Sequence, residues 1–115
     1  MPAPTVEQIF EEMMAAGEKA FGASWSAVAS YAPAEFRKMA IQITEIAGNV
    51  AKYKLDKSEG YSEETGRILM KMQRTAAESV LVATTQLNLI AVQKAMDAVA
   101  KVLRKTFKGL VSRIL

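Results

Sequence analysis

The sequence contains neither cysteine nor histidine among its 115 residues. Without cysteine there is no disulfide, no thiolate nucleophile and no thiolate metal site. Without histidine there is no imidazole to serve as a base near neutral pH or as a metal ligand. We therefore predict a protein that is not an enzyme and that holds no metal or other cofactor.

Carboxylates remain as possible catalytic groups, and they occur as the neighbours Glu11/Glu12 and Glu63/Glu64. Adjacent residues of a helix point in different directions, so neither pair suits joint acid–base work. Carboxylates are favoured in the first turn of a helix, where they meet the positive end of its dipole. We interpret both pairs as solvated groups near helix starts.

Proline and glycine are scarce, with three and six residues respectively, and they divide the chain. Pro33 suits the first position of a helix, and Gly60 lies in a polar turn. Thr5 and Ser62 are expected N-caps, and Gly22 is the expected site of a bend in the first helix. The prediction is one all-α domain over residues 1–115, with helices at about 5–31, 33–57 and 62–113.

Apolar residues recur at helical spacing in the second and third of these helices. In the second they form a coiled-coil seam with steps of three and four: Phe36, Met39, Ile43, Ile46, Val50 and Tyr53. Gly48, inside this run, predicts a close helix crossing. In the third helix the residues expected to face the core are Ile68, Leu69, Met72, Ala76 and Val80.

No charged residue lies between Ser79 and Gln93. This stretch is shorter than the roughly 20 residues that a membrane span needs. No basic signal-peptide start is present, so a cytoplasmic location is predicted, and export by a route that uses no cleaved signal stays an open alternative. The stretch holds the polar residues Thr84, Thr85, Gln86 and Asn88. Two interpretations stay open: a buried polar layer that sets the register between helices, which we favour, and an exposed strip.

A helix over residues 62–113 would be roughly 75–80 Å long if unbroken, about twice the length of the other two. Two short helices cannot cover both halves of this helix equally, so either it breaks or its far half finds other partners. Left uncovered, it would expose an apolar patch that soluble monomers rarely tolerate. We therefore predict a helical bundle that is completed by homo-oligomerisation. The residues expected to mediate self-association are Trp25, Val82, Leu89, Val92, Met96, Val99 and Leu103.

Charge is distributed unevenly, with a net −4 over residues 1–35 and +5 over residues 94–115. The two ends could pair within one subunit or between subunits, and head-to-tail pairing generates rings or filaments. A self-associating structural or interaction protein is accordingly the function that the sequence favours.

The basic C-terminal segment supports an alternative function, because its basic and apolar residues separate on a helical wheel. Such a helix is typical of binding to an anionic membrane surface or to an acidic protein groove. An ordinary surface helix packed on its own bundle would give the same pattern. DNA-backbone binding is less favoured, since stacking aromatics are absent. The expected anionic-surface contacts are Lys101, Arg104, Lys105, Lys108 and Arg113.

Seven methionines are present, and flexible methionines line both cores and adaptable binding grooves. The core interpretation is favoured for Met13, Met39, Met72 and Met96, which lie at helical spacing. Trp25 is expected to anchor either the core or an interface.

Overall fold

The computed structural model describes residues 3–115, and all regular structure in this range is helical. The helices are α1 (Val6–Phe21), α2 (Trp25–Val28), α3 (Ala32–Leu55), α4 (Glu63–Thr85), α5 (Leu89–Thr106) and α6 (Leu110–Ile114), with a 3-10 turn at Gly22–Ser24. The predicted all-α class is confirmed.

Both predicted N-caps are confirmed. The Thr5 side chain accepts a hydrogen bond from the Gln8 backbone N–H at 3.2 Å, and the Gln8 side chain accepts one from the Thr5 N–H at 2.9 Å. This reciprocal pair is a capping box. At the start of α4, the Ser62 hydroxyl accepts a hydrogen bond from the Thr65 N–H at 3.2 Å. Each cap satisfies backbone donors that have no partner within the helix.

The first predicted helix, 5–31, is interrupted at Gly22, which has a φ of 54°. Only glycine adopts this conformation without steric cost, so α1 ends there. A 3-10 turn and the short helix α2 follow, and α3 then begins at Ala32 with Pro33 in its first turn.

The helix predicted over 62–113 is not continuous, because the chain turns between α4 and α5. Of the two alternatives for this helix, a break is the one that the structure shows. Gln86 caps α4 in the left-handed conformation, with a φ of 61°. Asn88 is the N-cap of α5, and its side-chain oxygen accepts hydrogen bonds from the backbone N–H groups of Ile90 (2.8 Å) and Ala91 (3.4 Å). A second break, at Gly109, separates α6.

The polar residues of the uncharged stretch therefore build a turn. The Thr84 hydroxyl donates back to the Val80 carbonyl and the Thr85 hydroxyl to the Leu81 carbonyl, one turn earlier in α4. Thr84, Gln86 and Asn88 are exposed. The favoured interpretation of a buried polar layer between helices is wrong, since the local hydrogen bonds satisfy these groups at the end of one helix and the start of the next.

The turn lets α5 fold back, and four helices enclose one apolar core. α1 packs against α3 and α5, α4 packs against α3 and α5, and α6 closes one end against α3, α4 and α5. The described chain measures 45 × 25 × 19 Å. The largest fully buried side chains include Phe36 and Ile43 of α3, Leu81 of α4 and Leu103 of α5.

Candidate functional site

Four of the predicted self-association residues, Val92, Met96, Val99 and Leu103, lie in the core of their own chain, each no more than 1% exposed. The expectation that this face lacks cover is wrong, since α5 folds back against α1 and α4. In this fold these four side chains are unavailable to a second copy. Of the remaining α4 and α5 residues in the predicted set, Val82 is half-buried and Leu89 is exposed.

Trp25 anchors the core from the short helix α2. Its ring lies between those of Phe21 and Phe36, at centroid distances of 6.2 and 6.5 Å. Tilted aromatic pairs at this spacing are favourable. Trp25 is half-buried. Its ring packs mainly within its own chain and leaves little surface for contact with a partner.

The most unusual surface is the outward side of α4. The residues predicted to face the core from the start of this helix do not all do so: Ile68 is 56% exposed and Met72 is 62% exposed. Both belong to an exposed row without charge, named here the α4 stripe, which consists of Ile68, Met72, Ala76, Ser79 and Ala83. On a helical wheel the row occupies a sector of about 80°.

Most charged residues of α4 lie away from the stripe; the exception is the exposed Glu64, one turn before Ile68. Arg67, Lys71, Arg74 and Glu78 line a cleft between α4 and α5. Glu63, in the first turn, is 3.6 Å from Lys54 of α3 and 3.8 Å from Arg113 of α6.

The side of α4 that does enter the core carries Gly66, Met70, Ala77 and Leu81. Gly66 lies against α3, where a Cβ would come 2.9 Å from a methyl of Val50 and 3.0 Å from one of Ile46. The missing side chain lets the two helices approach closely.

The predicted anionic-surface residues occupy different environments. Lys101, Lys105 and Lys108 are exposed. Arg104 is half-buried and donates a hydrogen bond to the Leu115 carbonyl oxygen at 3.4 Å. Arg113 is paired with Glu63, so part of its charge is used to hold α6 against α4.

The apolar side of the C-terminal segment is occupied by the chain itself, because Val99, Leu103 and Ile114 are core residues. What α5 offers to solvent is its other side, which carries Lys94, Lys101 and Lys105. Ile90, 62% exposed, extends this row at the start of the helix. Leu89 and Val102 of the same helix are also exposed, so the surface is basic with apolar residues at its start and beside the lysines.

A cleft of about 540 Å³ runs between α4 and α5, and we name it the α4–α5 cleft. Arg74 crosses it: its guanidinium donates to Glu78 of the same helix at 2.9 Å, to the Gln93 carbonyl oxygen at 3.2 Å and to the Asp97 carboxylate. Burial lowers the pKa of Arg74, but the hydrogen bonds to Asp97 and Glu78 outweigh it, so the pKa lies above its ordinary value. Arg74 is thus a permanent cationic link between the two helices.

Within residues 3–115 no group of three acidic side chains is arranged to hold a metal ion. Across the same range no helix has both the length and the apolar character to cross a bilayer.

Sequence reasoning did not identify the α4 stripe, because Ile68 and Met72 alternate along the chain with the core residues Gly66 and Met70. A helical wheel of α4 indicates the stripe. The charged residues gather on one side, and the uncharged remainder of the helix is wide enough to offer two faces that could be buried.

No protein-family model matches the chain, and neither a curated protein sequence nor a solved structure is similar to it.

Proposed function

We propose that the protein is a non-enzymatic structural subunit that self-associates, and that the α4 stripe is the contact between copies. The observation that carries this proposal is the exposure of Ile68 and Met72 in a row that holds no charge. A solvated helix face ordinarily bears charged residues, and large apolar side chains there mark an interaction surface.

The order of residue sizes along the stripe favours a second copy as the partner. Large residues, Ile68 and Met72, occupy one half, and the small residues Ala76, Ser79 and Ala83 occupy the other. If two α4 helices pair antiparallel about a two-fold axis beside Ala76, each large residue meets a small one of the other copy. Ile68 then faces Ala83, and Met72 faces Ser79.

Two-fold symmetry makes such a contact self-complementary. The stripe spans about 22 Å along the helix, from residue 68 to residue 83. One helix pair of this length buries less area than a standard stable interface of roughly 1,200–2,000 Å². We therefore expect reversible, concentration-dependent association rather than a permanent dimer.

Sedimentation velocity over a wide range of protein concentration tests the proposal. The wild-type mass should rise with concentration, and Ala76→Lys should remain monomeric, because the lysines of the two copies would face each other across the axis. Ala15→Lys, a matched change at an exposed alanine of α1, should associate like the wild type. A monomeric wild type over the whole range, or equal effects of the two substitutions, would contradict the proposal.

A second candidate function, binding to an anionic membrane surface, is favoured by the outward side of α5. Lys94, Lys101 and Lys105 lie on this side, and none forms an ion pair with an acidic group of the described chain. Lysines near an anionic bilayer contribute about 1 kcal/mol each. Exposed Ile90 would reach the bilayer at one end of the row.

Co-sedimentation with vesicles tests this candidate. Binding should require anionic lipid and should be lost when Lys94, Lys101 and Lys105 are all changed to Gln. The matched control changes Lys19, Lys52 and Lys57, three exposed lysines on α1, at the end of α3 and in the following turn, to Gln. Equal loss of vesicle binding in both triple variants would mean that binding depends on net charge alone, and it would rule out this candidate.

A further inference from the structure

The α4–α5 cleft has an apolar floor built by four helices. Met13 of α1, Met39 of α3, Met70 of α4 and Met96 of α5 all line it. Each is nearly fully buried, so the floor is part of the core. Methionine is unbranched and flexible, and it adapts to irregular apolar occupants. Ala100 is a small residue of α5 that also lines the cleft.

The end of the cleft near α6 is cationic. Arg67, Lys71 and Arg104 line it. Arg67 is paired with Glu63 at 3.1 Å. Lys71 and Arg104 form no ion pair with any carboxylate side chain of residues 3–115. Two cations thus stand beside an apolar floor without a neutralising carboxylate side chain. Arg104 also donates one hydrogen bond to the Leu115 carbonyl oxygen at 3.4 Å, which leaves its other N–H groups for a ligand.

The middle of the cleft is electrically satisfied. There Arg74 is held between Glu78 and Asp97, and it also donates to the Gln93 carbonyl. An anion would therefore meet no unpaired cation in the middle of the cleft. Its favoured position is the end near Lys71 and Arg104. From residue 67 to residue 78 the α4 wall is about 16 Å long.

We infer that the α4–α5 cleft binds a single-chain aliphatic amphiphile with one anionic head, such as a free fatty acid. The head lies between Lys71 and Arg104, and the chain lies on the methionine floor beside Ala100. The volume of about 540 Å³ is within the range of small-molecule sites, roughly 300–1,000 Å³. Charge complementarity at one end, combined with an uncharged and adaptable floor, favours this occupant.

Isothermal titration calorimetry with dodecanoate below its micelle concentration tests the inference. We expect saturable binding of one molecule per chain. Dodecyltrimethylammonium, which has the same chain and the opposite charge, should bind far more weakly. The Ala76→Lys variant should bind dodecanoate like the wild type, because the cleft does not involve the α4 stripe, and this separates the result from self-association.

The double variant Lys71→Gln/Arg104→Gln should weaken dodecanoate binding by at least about tenfold, because charge-assisted hydrogen bonds to the head are lost. Lys101→Gln/Lys105→Gln removes the same charge from the outward side of α5 and should leave the affinity unchanged. Ala100→Leu should block the cleft. If circular dichroism shows that this variant does not fold, the comparison of the two double variants still tests the inference.

Three results would overturn the inference: equal binding of the cationic and anionic amphiphiles, equal affinity of the two double variants, or uptake of many molecules per chain. Binding that occurs only with anionic vesicles and never with monomeric dodecanoate would also overturn it, in favour of the membrane surface.

Discussion

The backbone of Gly17 in α1 lies directly against the ring of Phe36 in α3. A Cβ at position 17 would come 2.6 Å from Cε2 of that ring. Phe36 is fully buried and is packed on another side by Trp25, so any movement of the ring would disturb the core around it. Close approach of α1 and α3 thus depends on the absence of one methyl group.

Gly17→Ala should lower the free energy of unfolding by about 1–3 kcal/mol, although alanine favours helix, because overpacking a core outweighs the propensity gain. Gly48→Ala in α3 is the matched control, because the close crossing predicted at Gly48 is wrong and this residue is exposed. Its added Cβ would meet nothing within 4 Å, so it should raise the free energy of unfolding by about 0.5–1 kcal/mol. Urea unfolding followed by circular dichroism measures both; the same sign for the two substitutions would contradict the packing argument.

The turn between α4 and α5 predicts two substitutions of opposite effect. Asn88→Ala removes the N-cap of α5 and should cost about 0.5–2 kcal/mol of stability, whereas Asn88→Asp should retain most of it. Gln86→Gly relieves a left-handed conformation and should raise stability by up to about 1 kcal/mol. Thermal unfolding provides the comparison. Stabilisation by Asn88→Ala would mean that a continuous helix competes with the turn.

The ion pair between Glu7 and Arg37 predicts a pH effect. The side-chain hydrogen bond from Arg37 holds the pKa of Glu7 below its ordinary value. The pair therefore contributes to stability above the ordinary pKa of a glutamate, and the contribution is lost as the pH falls through the lowered pKa. Arg37→Gln should return the pKa of Glu7 to its ordinary value in an NMR titration of the carboxyl carbon.

Lys38→Gln is the control for this titration. Lys38 pairs with Glu35 at 3.1 Å, so its loss should leave the pKa of Glu7 unchanged. A shift of similar size in both variants would indicate a general charge effect instead of the specific hydrogen bond.

The antiparallel register of the α4 stripe predicts which cysteines can cross-link, and the natural chain contributes no thiol of its own. A mixture of Ile68→Cys and Ala83→Cys proteins should form a disulfide-linked heterodimer under mild oxidation. Each protein alone should cross-link much less, because its cysteine faces position 83 or 68 of the other copy. Non-reducing electrophoresis measures the yield; efficient cross-linking of Ile68→Cys alone would indicate a parallel pair.

Helical class, the caps at Thr5 and Ser62 and the bend at Gly22 could be predicted from the sequence, because each depends on neighbours within a few residues. The turn at Gln86–Asn88 carried a local signal as well. Asn88 is a preferred N-cap residue, but the strong helix formers around it and the lack of glycine or proline favoured a continuous helix.

The orientation of α4 could not be predicted, because it depends on contacts distant in sequence. Ile68 and Met72 are more hydrophobic than Gly66 and Ala77, yet the small residues face the core because α3 lies so close to Gly66. The same reason hid the α4 stripe. The α4–α5 cleft escaped prediction because it exists only after α5 folds back, which brings residues such as Arg74 and Asp97 together.

The contact between α1 and α5 has a consequence for the order of folding. It is the most extensive contact between two helices, and it joins elements near opposite ends of the described chain. The α4–α5 hairpin closes over three residues, whereas pairing α1 with α5 closes a loop that contains most of the protein, at a larger entropic cost. Contacts between residues that are so distant in sequence form late during folding. We expect the pairs α3–α4 and α4–α5 to form early and the docking of α1 to complete the native state.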